Sequence, residues 1–364
     1  MHRDVYGAKL KMVRGFMAEH GFDSFVLARR DSFSWLTGGG DSRIFLSSDV
    51  GVGFLVIGPK TVHLVAESMD CDRIYQEELG ASNDIIPVTI HWYDAGREAC
   101  AMRLTTGNVA SDIPLPGATC AFDQFQKLFL ALSPPEIERF ERAGALADEA
   151  MRAAAERLAP GMSEIEAQGA LFGEYGVRGF VPKVVLVGSD ERIGKYRHPL
   201  ATKKKMERSV LLHMAAAYGG LHANITRMMV FGDVPAKLRA DYDFLNQLQA
   251  MIAAKLRPGT SLSEIVRVRK EMMAVQGVLD EYDKHYPGAT TGYFVGDASP
   301  IIHAETVQMA QGFDWFLTLT GCKVEELILA GENGGRVLSA TGAWPLKTYS
   351  YEGFSCDLPD ILQK

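Results

Sequence analysis

SVLLHMAAAYGGLHANITRMMVFG, residues 209–232, consists of two apolar-rich runs joined by Gly219-Gly220. Glycine tolerates the positive φ angles of the tight turns that close β-hairpins, so the pattern predicts a hairpin here. A two-residue turn pairs Tyr218 with Leu221, which sets His213 opposite Thr226 and Asn224 opposite Ala215. Paired residues share a face, and side chains alternate along a strand. His213, Ala215, Asn224 and Thr226 are therefore expected on one face, where the two polar groups His213 and Asn224 converge. His222, nearer the turn, is assigned to the opposite face and a structural role.

The flanking sequence is built of helices. At Ser133-Pro134-Pro135 a helix start is predicted: serine suits the N-cap, proline is tolerated in the first turn, and Glu136 suits the positive end of the helix dipole. Ile137, Phe140, Gly144, Ala147 and Met151 then recur at helical spacing. LAPGMSEIEA (residues 158–167) recurs 98 residues later as LRPGTSLSEIV (256–266). In both copies Pro-Gly ends one helix and a capping box, Ser163 with Glu166 or Ser261 with Glu264, opens the next. Two similar halves imply a pseudo-symmetric domain over residues 133–364.

Residues 1–132 read differently. A helical pattern through Leu10, Val13, Phe16 and Met17 precedes strand patterns at Ser24–Leu27, Val50–Gly58 and Thr61–Ala66, which together predict an α/β domain. SWLTGGGD (residues 34–41) is expected to be a tight glycine-rich connection, because it lacks the spacing of a dinucleotide-binding loop.

Composition bounds the function. The chain has 364 residues, is 47% hydrophobic and 23% charged, and carries a net charge of −7. That acidic balance argues against nucleic-acid or anionic-membrane partners, which favour basic faces. Five scattered cysteines without a CxxC pair suggest neither a disulfide framework nor a zinc knuckle. With no signal-type or membrane-spanning apolar run, a cytoplasmic protein is expected.

The hairpin resembles the metal-binding hairpin of the methionine aminopeptidase, prolidase and creatinase family. Members of that family run roughly V-L-V-D-F-G-A-x-Y-x-G-Y-H-S-D-I-T-R where this chain has VLLHMAAAYGGLHANITR. The resemblance extends over nearly the whole chain and implies an α/β (α+β) fold. It consists of a creatinase-like N-terminal domain over residues 1–132 and a pita-bread domain over 133–364. It also implies a homodimer in which residues 38–42 and the Trp92-Tyr93 loop border the partner's pocket.

In that family five side chains hold two divalent metals. The matching positions are His213 and Asn224 for the hairpin aspartates and Ala289, in HYPGATTGY, for a histidine. Thr318, in GFDWFLTLTG, stands for one glutamate, and Glu325, in KVEE, is the other. A further family His-Glu pair falls on Gly296 and Asp297. One ligand of five survives. A dinuclear site needs carboxylates to offset the repulsion between its cations, and first-row metals want three or more protein ligands. No metal and no cofactor are therefore expected.

His198, in YRHPLATKKK, resembles the family histidine that sits over the substrate pocket. With His285 and Glu325 it is assigned to acid-base catalysis, which a histidine beside a carboxylate can perform near neutral pH. His213, Asn224, Thr226, Arg227 and Thr318 are assigned to substrate binding, and Glu325 has the alternative of pairing with Arg227. His303 and Glu305 are expected in a loop.

Three functional readings follow. The first is a metal-independent hydrolase or lyase acting on a small amide, amidine or amino-acid derivative. The second is a non-catalytic relative that binds a peptide or small molecule in the same cleft. The third is an Xaa-Pro peptidase, which overall similarity favours and the exchanged ligands oppose. A buried His198 facing a closed polar pocket favours catalysis; a solvated His198 beside an open apolar groove favours binding.

Overall fold

The computed structural model describes residues 3–294 and 305–364. Gly296, Asp297 and His303 lie outside the described residues. The chain divides into two compact units, Met1–Phe129 and Leu130–Lys364.

The first unit is built on a six-stranded mixed sheet, in the order β4-β3-β2-β1-β5-β6. Its strands are β1 (Ser24–Arg29), β2 (Val50–Ile57), β3 (Val62–Glu67), β4 (Ile86–Ile90), β5 (Val109–Ser111) and β6 (Thr119–Cys120). One correction concerns the glycine-rich stretch. Ser34–Thr37 is the last turn of a helix, Arg30–Thr37, because Ser34, Trp35 and Leu36 bury themselves against the unit's core. The loop begins only at Gly38, whose φ of 72° is the left-handed conformation that ends helices.

The second unit carries the hairpin. Strands β7 (Val181–Ser189), β8 (Ser209–Tyr218), β9 (Leu221–Val230), β10 (Ala289–Thr291), β11 (Gly312–Leu319) and β12 (Cys322–Leu329) form one sheet in the order β10-β11-β12-β9-β8-β7. The hairpin has the expected register, with Tyr218 opposite Leu221, His213 opposite Thr226 and Asn224 opposite Ala215. Gly219 and Gly220 have φ of 52° and 81°, as a type I′ turn requires. Antiparallel contact between β9 and β12 pairs Thr226 with Glu325 and so joins the hairpin to the later glutamate.

Helices Pro134–Glu156, Glu164–Gly176, Ala236–Lys255 and Leu262–Val275 complete this unit. The first two open with the expected capping boxes, Ser133 with Glu136 and Ser163 with Glu166. The third expected box does not form. Lys255 draws the Glu264 carboxylate to 3.0 Å, and Ser261 bonds the Ser263 hydroxyl at 2.7 Å instead. The helix starts at the predicted place with weaker capping, so the two repeats match in position more than in detail.

Among the described residues no helix is long and apolar enough to cross a membrane.

Candidate functional site

Alternation along the strands gathers one set of side chains on one face of the second sheet. Val184 and Leu186 of β7 stand opposite Ala215 and His213 of β8. Asn224 and Thr226 follow on β9, then Lys323 and Glu325 on β12, then Asp314, Phe316 and Thr318 on β11. A cavity of about 310 Å³ opens on this face, bounded by most of these residues together with His198 and Tyr286.

Glu325 is the centre of the polar floor and is 2% exposed. Its Oε2 accepts the Thr226 hydroxyl at 2.6 Å, lies 3.0 Å from His213 Nδ1, and lies 3.1 Å from the Lys323 ammonium. Burial alone would raise the Glu325 pKa. His213, Lys323 and the two hydrogen bonds outweigh burial and hold the group well below the usual carboxylate range, so it is ionised. An ionised carboxylate only accepts, so His213 Nδ1 carries the proton of that contact. Burial, assisted by Lys323, lowers the His213 pKa against the pull of Glu325 and keeps the ring neutral. Its other nitrogen, Nε2, is then a bare lone pair.

Asp314 is the second carboxyl of the floor. Burial, reinforced by the negative charge of Glu325, raises its pKa well above the carboxylate range and leaves it protonated. The Asn224 amide donates to its Oδ2 and, at 3.4 Å, reaches the Thr291 hydroxyl. Asp314 Oδ1 and Asn224 Oδ1 are buried without a hydrogen-bond partner among the described residues. Gly288 makes this packing possible. Its φ is 111°, and a Cβ there would strike the Asp314 carbonyl oxygen.

The rim holds a second polar pair. His285 Nδ1 lies 2.6 Å from the Tyr286 carbonyl, which only accepts, so this nitrogen is protonated. Its Nε2 lies 2.9 Å from His198 Nε2. Burial, with Lys323 nearby, lowers the His285 pKa to about 4, so the neutral ring has one proton and Nε2 must accept from His198. His198 therefore carries its proton on Nε2 and leaves Nδ1 bare. Its pKa is lowered by partial burial and by Lys323 and His213. His285 is buried and outside the cavity lining, whereas His198 is exposed at the mouth. The pocket thus combines the two forms distinguished above, a solvated His198 and apolar walls over a polar, buried floor.

Several expected assignments change. Arg227 is not in the cleft: one residue past Thr226, it points to the other face of the sheet. There it is fully buried and bonds Glu326 at 2.7 Å, Asp148 at 3.1 Å and the Ser339 carbonyl at 2.7 Å. Its partner is accordingly Glu326 rather than Glu325. Thr318 shares the face of the site but does not line the cavity; its cross-strand neighbour Lys323 does. Thr226 also stays out of the lining and acts through Glu325 and His213. His222 lies two residues from Asn224, which puts both on the same face; its Nδ1 lies 3.1 Å from the Gly292 carbonyl. Asp314, Phe316, Lys323 and Tyr286 were absent from the expected site. Period-two counting back from Thr318 and Glu325 finds the first three.

These residues do not fit a dinuclear metal centre. Among the described residues, no group of three or more His, Cys, Asp or Glu side chains is placed to hold a metal ion. The surviving family glutamate already faces an ammonium, and the second carboxyl is protonated.

Residues 138–318 match the model of metallopeptidase family M24. An Xaa-Pro dipeptidase of Pyrococcus furiosus is 21% identical over 92% of this chain and 98% of its own length. Among solved structures, an Xaa-Pro dipeptidase from Bacillus anthracis superposes with a TM-score of 0.76 at 16% identity, covering 99% of this chain and 100% of its own. The prolidase from Pyrococcus furiosus superposes with a TM-score of 0.72 at 20% identity, covering 90% of this chain and 99% of its own. At such identities the structural likeness speaks for the fold.

Proposed function

We propose a function from the premise that this chain belongs to metallopeptidase family M24: it binds and hydrolyses a short peptide or another small amide-bonded compound in the β7–β12 cavity, without a dinuclear metal centre. The relatives' names make an Xaa-Pro dipeptide the first substrate to try. The observation that carries the metal-free part is the Lys323–Glu325–His213 cluster, in which an ammonium 3.1 Å from the carboxylate supplies the local positive charge.

In this reading Lys323 takes the carbonyl oxygen of the scissile amide and stabilises the oxyanion as it forms. His198 removes a proton from water as the water oxygen attacks the carbonyl carbon. The same proton then passes from His198 to the leaving nitrogen as the carbon–nitrogen bond breaks, giving an acid and an amine. Glu325 holds Lys323 and His213 in place. Composition and family resemblance further support a cytoplasmic homodimer, which size-exclusion chromatography with light scattering tests.

Metal analysis of the purified protein, together with turnover of a panel of Xaa-Pro dipeptides and other small amides, tests the central claim. The expected result is no stoichiometric metal, and turnover that survives EDTA and vanishes in His198→Ala. Two metal equivalents per chain with EDTA-sensitive turnover would overturn it. The exposed His198 and the apolar wall of Val184, Leu186 and Phe316 favour a second reading, a binding protein, for which saturable binding without turnover is the signature.

A further inference from the structure

The hydrogen-bonding capacity left over in the cavity specifies what its ligand must offer. His213 has committed Nδ1–H to Glu325, at 3.0 Å. His198 has committed Nε2–H to His285, at 2.9 Å. Each ring therefore presents one nitrogen that only accepts, and both rings line the same cavity. Among the described residues no side chain is hydrogen-bonded to His213 Nε2 or His198 Nδ1, and the backbone partner of the His213 ring, the Ile225 carbonyl, only accepts. Asn224 Oδ1 and the protonated Asp314 carboxyl also have an unpartnered oxygen each among the described residues, but both oxygens are fully buried and out of a ligand's reach. Against the two ring acceptors stands one strong donor within reach of a ligand, the Lys323 ammonium, which gives a single contact to Glu325.

We propose that the cavity selects a compound that donates N–H to the bare Nε2 of His213, leaving the His198 lone pair for water, and accepts from Lys323 through a carbonyl or carboxylate oxygen. Its preferred substrates are then secondary or primary amides, ureas or amidines, and not the tertiary amide of an Xaa-Pro bond. This inference rests on the cavity being the working site. An Xaa-Pro bond has no N–H, so it leaves an acceptor nitrogen facing a carbon. Sites built to hydrogen-bond an N–H reject analogues lacking it far more strongly than apolar pockets reject a methyl group.

The test is a matched pair of small amides, N-acetylglycine and its N-methyl counterpart N-acetylsarcosine, titrated by calorimetry and by ligand-observed NMR into the full-length protein. The N–H compound is expected to bind at least about tenfold tighter. In His213→Phe that ratio is expected to fall to within about twofold, while Lys323→Met weakens both compounds together. His198→Phe, at the exposed rim where folding is not at stake, is expected to keep the ratio at about tenfold, because His213 reads the N–H. Equal binding of the pair, an unchanged ratio in His213→Phe, or a ratio lost in His198→Phe, would overturn the proposal and leave the cavity as the working site. Binding of neither compound, with Xaa-Pro dipeptides turned over, would overturn it too. Binding of no amide of any kind would sink the proposed function itself.

Discussion

The two faces of the β9–β12 junction make opposite use of nearly the same residues. On one face Arg227 is enclosed by Glu326, Asp148 and the Ser339 carbonyl, and Ser339 donates to Glu326 at 2.6 Å. On the other face, one residue away along each strand, Thr226, Glu325, His213 and Lys323 form a cluster beside a cavity. The far face pairs its charges internally, leaving only Arg227 Nε without a partner among the groups named, and with no cavity beside it among the described residues reads as structure. The near face pairs its carboxylate but leaves ring nitrogens and most of an ammonium's donors unspent. Buried polar groups are normally satisfied, so unspent capacity next to open space is the physical mark of a ligand site.

The largest effect that could break this comparison is Arg227→Met. It strands two carboxyl groups in a sealed interior, and removing one partner of a buried ion pair costs about 3–5 kcal/mol. Urea denaturation should show that loss or a chain that fails to fold; a cost below about 1 kcal/mol would mean the far face is not a closed ionic structure. Lys323→Met should cost less, about 1–2 kcal/mol, because His213 and Thr226 still bond Glu325. It should nonetheless abolish turnover and weaken ligand binding, which Arg227→Met affects only through folding.

Acid titration separates the faces by sign. Glu326 has its pKa raised to about 7, because burial outweighs the favourable charge of Arg227. A raised carboxyl contributes stability that is complete below its unfolded value and is lost as pH rises through about 7. His285 has its pKa lowered to about 4, so its contribution is complete above the unfolded histidine value and is lost as pH falls toward 4. Glu326→Gln should flatten the fall in stability between pH about 4.5 and 7, and His285→Phe should flatten the rise between about 4 and 6.5, each by about 1–3 kcal/mol. Melting temperatures across that range read both, and slopes of the same sign would refute the assignment.

Much of the fold was legible because it rests on local rules. Gly219-Gly220 fixes the hairpin register, and that register alone puts His213 and Asn224 on a shared face. Ser133 and Ser163 announce their helices by capping boxes that form as read. What escaped depends on contacts between strands distant in sequence. Strand alternation puts Lys323 and Asp314 on the face of Glu325 and Thr318, but that this face is a buried floor follows only from the pairing of β12 with β9 and β11, and nothing local marks a lysine as buried. Arg227 was misplaced for a different reason: a family motif was carried over without counting the alternation that sends neighbouring residues to opposite faces. Glu264 was lost to Lys255 because two partners competed for one carboxylate.

The smallest expected effect tests the near face at the position where resemblance and geometry disagree most. Thr318 stands where the family places a metal-binding glutamate, and it is 4% exposed, yet it borders no part of the cavity. Thr318→Val keeps the side-chain shape and removes only the hydroxyl, which bonds no other side chain among the described residues. Stability should change by less than about 0.5 kcal/mol, and ligand affinity or turnover by less than about twofold. Thr226→Val makes the same chemical change but takes a hydrogen bond of 2.6 Å from Glu325, so it should cost about 1 kcal/mol and disturb His213 as well. A large loss in Thr318→Val, read by the same denaturation and binding assays, would extend the working centre to Thr318. A small one leaves it with Lys323, across the strand pair from Thr318 and on the cavity side.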